Sequence, residues 1–192
     1  RENPSLGFLS LEELLPQCDI VTLHVPYSQT GPDRTAGMAS SDFFAQMRSG
    51  ADFINCSRGP VMQDEALLQA LRSGKLNHIA IDTWNHEPNL DPELLQRALC
   101  ATPHIAGYSI QGKAAGTAAV VQAVARLYGW PLQTWYPNEV TPTIPNHTIT
   151  WVDLQQEMGH YFDIVSETDE LKSHPERFEQ MRNHYTYRTE FF

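Results

Sequence analysis

Three side chains in this sequence could together move a proton and hold an anion. Arg58 lies in Asn55-Cys56-Ser57-Arg58-Gly59, Glu87 in Ile81-Asp82-Thr83-Trp84-Asn85-His86-Glu87-Pro88, and His104 in Thr102-Pro103-His104-Ile105-Ala106-Gly107-Tyr108-Ser109. A histidine titrates near neutral pH and can give or take a proton. A carboxylate can hold its ring in one orientation, and an arginine can grip an anionic group through two parallel hydrogen bonds. That is equipment for oxidising a hydroxy acid. Each residue has a plainer reading: a structural histidine, a solvated loop acid before Pro88, a salt bridge closing a loop. Their arrival at the ends of three successive predicted strands favours chemistry. Gly59 argues for a close backbone approach beside Arg58. Asp82 interrupts an apolar run, and a buried acid needs a donor, either a cofactor amide or a nearby backbone amide.

The elements that must position these residues follow from patterning. Ser10 and Glu13 are spaced as a capping box heading a short helix over 10–15, ended by Pro16. Residues 18–25 are almost continuously apolar, which predicts a strand buried on both faces. A helix over 41–48 is stopped by Gly50 and followed by a strand over 51–56. Asp64 caps a helix to Arg72, with Gly74 in the left-handed closing position. A strand over 78–84, a helix capped by Asp91 to Ala98 and a short strand over 99–102 complete the series. Strands alternating with helices predict an α/β fold, a parallel-sheet, doubly wound, Rossmann-type half-domain. Ligands of such sheets bind beyond the carboxyl ends of the strands, where Pro26, Arg58, Glu87 and His104 all fall.

Residues 113–128 read as a long helix preceded by Gly112. The stretch 130–148 carries Pro131, Pro137, Pro142 and Pro145 and predicts a linker or irregular crossing. Beyond it, Leu154, Met158, Tyr161 and Val165, then Phe178, Met181 and Tyr185, recur at helical spacing. These stripes have too little core of their own and predict packing on the parent domain or on a second subunit. We place the division at residues 1–133 and 134–192, the latter a linker plus a small helical or α+β module.

Composition narrows the function classes. With 23 acidic and 13 basic residues the formal charge is −10, and no basic run stands out, which disfavours nucleic acid as a partner. An anionic substrate must therefore be met by local cations such as Arg58. No apolar stretch approaches the ~20 residues of a membrane span. Three cysteines, Cys18, Cys56 and Cys100, without close pairing fit a reducing, cytoplasmic setting. His86, His147, His160, His174 and His184 show no metal-ligand pairing, so no metal site is expected. Ser57 and Ser109 lack the context of an activated nucleophile. His24, at the end of the first strand, reads as a packing residue, with a cofactor cleft as the alternative. The triplets Asn55-Cys56-Ser57 and Asn146-His147-Thr148 read as chance glycosylation matches.

The runs CDIVTLHVP, MRSGADFINCSRGPVMQDEALLQALRSGKL, IDTWNHEP and TPHIAG resemble the D-2-hydroxyacid dehydrogenases, in the second half of their cofactor domain. Within that family, HIAGYSIQGKAAGT and FEQMRNHYTYRTEFF are similar to the branch that oxidises 4-phosphoerythronate in pyridoxal 5'-phosphate synthesis. The resemblance implies NAD as cofactor, a small phosphorylated 2-hydroxy acid as substrate, and a homodimer formed through a C-terminal module from about Asn138. It implies that Arg58, Glu87 and His104 are catalytic, with His104 the general base and Glu87 its orienting acid. Arg58 and Tyr108 would bind substrate. Val25, Pro26, Cys56, Ser57, Arg58, Asp82 and Gly107 would border NAD, Asp82 holding the nicotinamide amide. The glycine-rich phosphate loop GxGxxG, the ribose-binding acid and the substrate domain are absent from these 192 residues. Gln111 stands where the branch usually has an acid, and Val25 where it has threonine. The chain is therefore expected to be the latter part of a longer enzyme. Two alternatives remain open at this point: a reductase of hydroxypyruvate or glyoxylate, or a phosphoglycerate dehydrogenase; and a non-catalytic, NAD-sensing interaction module.

Overall fold

A computed structural model of the chain describes residues 7–141 and 150–190. Four parallel strands, β1 (Ile20–Leu23), β2 (Ala51–Asn55), β3 (Leu76–Ile81) and β4 (Cys100–Ala101), lie side by side in the order β1-β2-β3-β4. Phe53 sits between Val21 and Ile79 in register, and Ile81 pairs with Ala101. These inward residues are all buried and form the centre of the core. Because every strand runs the same way, all four carboxyl ends open on one edge of the sheet.

The connecting helices are α1 (Leu11–Leu14), α2 (Ser41–Gln46), α3 (Asp64–Arg72) and α4 (Pro92–Arg97). Their ends follow local chemistry. The capping box of α1 forms, with the Ser10 and Glu13 side chains each accepting from the other's backbone amide. The Asp91 carboxylate accepts from the amides of Glu93 and Leu94 at 2.9 Å. Gly74 takes φ +72° beyond α3, as its position requires. Phe43 and Phe44 of α2 meet Phe53 of β2 edge-on, with ring centroids 5.1–6.1 Å apart. Each such pair contributes roughly 0.5–1.5 kcal/mol beyond area burial.

Several sequence expectations are corrected. β1 is buried on one face only. Val21 and Leu23 are buried, whereas Ile20 is 57% exposed and Thr22 and His24 face solvent. An apolar run alone does not show which of a strand's two faces is covered. His24 consequently does not pack, and its Nε2 lies 2.7 Å from Thr22 Oγ1. Asp64 is the first residue of α3 rather than its cap; Gln63 holds that position without a side-chain bond. The long helix α5 (Ile110–Tyr128) starts three residues earlier than expected, because the Ser109 hydroxyl accepts from the Gly112 amide and caps it.

The tail forms α6 (Trp151–Tyr161), α7 (Ile164–Ser173) and α8 (Phe178–Asn183). The expected stripe through Val165 is interrupted at Phe162, where α6 ends, and Met158 and Val165 are exposed. Leu171 and Phe178 are buried instead, in the same core as the sheet residues, with α7 against β4. Thr168 completes this seam: its hydroxyl accepts from the amide of Ala101 at 3.1 Å. Pro142, Pro145 and the Asn146 triplet lie outside the described residues. Asn55 is fully buried.

Candidate active site

The site is assembled at the carboxyl ends of β2, β3 and β4. His104 follows β4 on a loop with φ +59°, a left-handed conformation that costs a non-glycine residue roughly 1–2 kcal/mol. Strain of this kind persists only where the surroundings fix it. Here Asp82 does so. Its backbone carbonyl accepts from the His104 amide at 2.8 Å. Its carboxylate Oδ1 accepts from the Thr102 hydroxyl and the amides of Ile105 and Ala106 at 2.7–3.0 Å. The donors a buried Asp82 requires are thus supplied by the loop that carries His104.

His104 Nδ1 lies 3.0 Å from Glu87 Oε2, and both side chains are 20% exposed. The other Glu87 oxygen accepts from the Trp84 amide at 2.8 Å. An ionised carboxylate can only accept, so Nδ1 carries the hydrogen of this bond and Nε2 is the ring atom left facing away from it. Burial pushes the Glu87 carboxyl up. The hydrogen bonds from His104 and Trp84, and the positive charges of His104 and Arg182, outweigh it and leave the group below the usual carboxylate range.

Arg58 is exposed at the end of β2. Among the described residues its guanidinium makes no ion pair; Nη1 bonds only the Ser57 carbonyl, at 2.7 Å. The close approach signalled by Gly59 is to the peptide after Trp84: a Cβ at Gly59 would lie 2.0 Å from the Trp84 carbonyl oxygen. Glycine therefore lets the Arg58 loop rest directly on the Glu87 loop. Asn55, fully buried, locks the two, its amide donating to the carbonyls of Arg58 and Thr83 at 3.3 Å.

Ser57 is occupied structurally, accepting from the Val25 amide at 3.0 Å. Pro26 is exposed, and its carbonyl accepts from the Thr35 hydroxyl. Burial, with the charge of Asp82, pushes the Cys56 thiol up to about 11, so it remains protonated. Gly107 is exposed on the His104 loop, and Tyr108 packs against Tyr185 and Tyr187 with Lys113 Nζ 3.9 Å above its ring. The strand ends thus bring His104, Glu87, Asp82 and the Arg58 loop together, while Tyr108 joins an aromatic cluster with the tail. Sequence reasoning missed Asn55 and the Trp84 amide as parts of the site. Only the buried motif position of Asn55 carried any signal.

A cavity of about 350 Å³ opens beside this cluster, lined by Ile54, Cys56, Ile81, Asp82, Thr102 and Phe162 among others. Its lining is mostly apolar, with Asp82, Thr102 and Arg188 as the polar exceptions, and the three hydrogen bonds of the Asp82 carboxylate all fall on Oδ1 among the described residues. A flat aromatic amide, such as a nicotinamide, fits that chemistry at Oδ2.

Residues 2–106 match the NAD-binding domain of the D-isomer specific 2-hydroxyacid dehydrogenases. The chain belongs to this family. Erythronate-4-phosphate dehydrogenase of Bacteroides fragilis is 42% identical over 187 residues, covering 97% of this chain and 53% of that protein. The chain spans about half the length of the curated relatives it matches. Among solved structures, the apo form of D-mandelate dehydrogenase from Rhodotorula graminis is 32% identical with a TM-score of 0.56, covering 72% of this chain and 41% of that one. D-lactate dehydrogenase from Aquifex aeolicus, complexed with NAD and lactic acid, is 26% identical with a TM-score of 0.54, covering 74% and 48%. The four-stranded parallel sheet is therefore part of the Rossmann-like cofactor domain of a D-2-hydroxyacid dehydrogenase.

Proposed function

We propose that this chain belongs to an NAD-dependent enzyme that oxidises 4-phospho-D-erythronate to 2-oxo-3-hydroxy-4-phosphobutanoate, a step serving pyridoxal 5'-phosphate synthesis. The His104–Glu87 pair carries the reading, because it holds the imidazole by Nδ1 at the same sheet edge as the Arg58 loop. Relatives of that name at 36–42% identity support the substrate.

In this reading Nε2 of His104 takes the proton of the C2 hydroxyl as the C2–H bond breaks, and returns it in the reverse direction. Glu87 holds the ring and stabilises the imidazolium that forms. Arg58 grips the carboxylate and the C2 oxygen, and Tyr108 adds a substrate contact. NAD, when bound, supplies the hydride acceptor. Val25, Pro26, Cys56, Ser57, Arg58, Asp82 and Gly107 border it, with Asp82 Oδ2 accepting from the nicotinamide amide. We further assign residues 1–133 to the cofactor domain with its exit helix, and 134–192 to a linker and homodimerisation module. Three free cysteines support a cytoplasmic setting.

The test is a comparison of kcat/KM for NAD-linked turnover of 4-phosphoerythronate and hydroxypyruvate, using the protein as its source makes it. The reading expects a preference for the four-carbon phosphate of at least tenfold. Preference for hydroxypyruvate would transfer the chain to the hydroxypyruvate reductases, and NAD binding without turnover of either would leave an NAD-sensing module.

A further inference from the structure

The loop that carries His104 is gripped from two sides. On one side Asp82 takes its amides: the carbonyl accepts from His104, and the carboxylate from Ile105 and Ala106. On the other side the tail takes its carbonyls. The Arg188 guanidinium donates to the carbonyls of Ile105, Ala106 and Tyr108 at 2.5–3.4 Å. Arginine suits this task, because its donors form a rigid planar fork, whereas a lysine head is a point charge on a flexible stem. The backbone of Arg188 is anchored as well. It bridges Ser109 in parallel register, its carbonyl accepts from the Ile110 amide at 2.9 Å, and the Glu190 amide donates to Gln111 Oε1 at 3.0 Å. The guanidinium carbon lies 5.4 Å from the Phe162 ring. Arg188, Phe162 and Ile164 line the cavity of about 350 Å³ together with Asp82. The tail thus forms one wall of the candidate cofactor cavity and holds the loop from which His104 reaches Glu87.

We propose that Arg188 is a positioning residue for His104: by holding three carbonyls it keeps the loop in the conformation that sets Nδ1 against Glu87. This inference rests on the function proposed above and gives the tail a part in its chemistry. His104 at φ +59° is strained, and such a conformation lasts only where its surroundings over-determine it. Asp82 fixes the amides of the turn. Among the described residues, the carbonyls of Ala106 and Tyr108 have Arg188 as their protein donor. Without it the loop keeps its attachment to the sheet and loses its attachment to the tail. A catalytic group displaced by ~1 Å can lose about 10²-fold in rate, so loosening on that scale is enough to matter.

The experiment compares wild type, Arg188→Lys and Arg188→Met in the protein as its source makes it, by steady-state kinetics and by amide hydrogen exchange. Arg188→Met is expected to lower kcat about 10- to 100-fold, with KM for NAD changing less than about threefold. Arg188→Lys keeps the charge but not the fork, and should recover only part of kcat. Exchange supplies a readout that needs no turnover. The amides of His104, Ile105 and Ala106 should exchange at least about tenfold faster in both variants, while those of β2 and β3 keep their wild-type rates. Where Arg188→Met fails to fold, Arg188→Lys carries the same comparison. Acceleration spread evenly over the sheet in Arg188→Lys would make Arg188 a residue of general stability and overturn the proposal. So would unchanged exchange at 104–106, unchanged kcat, or a loss carried by KM for NAD. If wild type oxidises no hydroxy acid, the proposed function fails, while the exchange rates still decide whether Arg188 holds the His104 loop.

Discussion

At the scale of single residues, the arrangement turns on which atom of His104 is free to act. Glu87 occupies Nδ1 and is itself held by the Trp84 amide, so the ring is oriented from behind and Nε2 is the position the proposed proton transfer uses. The depressed pKa of Glu87 has a consequence for stability. A carboxyl that ionises more readily folded than unfolded stabilises the fold above its unfolded pKa of ~4.3, and that contribution disappears as pH falls through the lower folded value. Glu87→Gln should therefore cost about 1 kcal/mol at neutral pH. The gap between variant and wild type should close progressively in acid. Denaturant titrations from neutral to acidic pH measure this, and a gap that persists at the acid end would contradict it. Cys56, by contrast, stays a thiol in this site and acts there as an apolar wall.

At the scale of elements, the site depends on two loops lying on one another. Gly59 makes that contact possible, since any side chain there meets the Trp84 peptide rather than a movable side chain. Gly59→Ala should destabilise the fold by roughly 1–3 kcal/mol or more and reduce turnover further by parting Arg58 from Glu87. A melting curve and an activity assay on the same preparation test this; unchanged stability would mean that the loops do not touch as described. Much of this architecture was legible in the sequence. Buried runs, helix caps and glycine stops located all four strands, and the parallel order followed from their alternation with helices. The strand ends then placed Arg58, Glu87 and His104 on one edge. What escaped depends on pairings that no local pattern encodes. Which face of β1 is covered depends on what packs over it from elsewhere in the fold. The left-handed turn at His104 rests on Asp82, twenty-two residues away in sequence. Phe178 is buried as its stripe predicts, but the burial of Leu171 rather than Val165 depends on where the tail meets β4.

At the scale of the whole molecule, a chain of formal charge −10 places Arg58 at the carboxyl ends of a parallel sheet. Among the described residues no helix is long and apolar enough to cross a membrane. The carboxyl ends of the sheet carry the His104–Glu87 pair, and the tail folds back through Phe178 and Arg188 to border the same edge. Val120, Leu127 and Tyr128 on α5 are exposed, as is Trp130 just beyond it. The central claim is that the molecule performs dehydrogenation at His104 and does not merely bind its cofactor. The most direct measurement is NADH formation from 4-phosphoerythronate by wild type and His104→Asn, with NAD affinity determined in parallel on both. The account predicts a fall in kcat of about 10²- to 10⁴-fold with NAD affinity preserved. Turnover that survives the substitution would place the proton transfer elsewhere and contradict it.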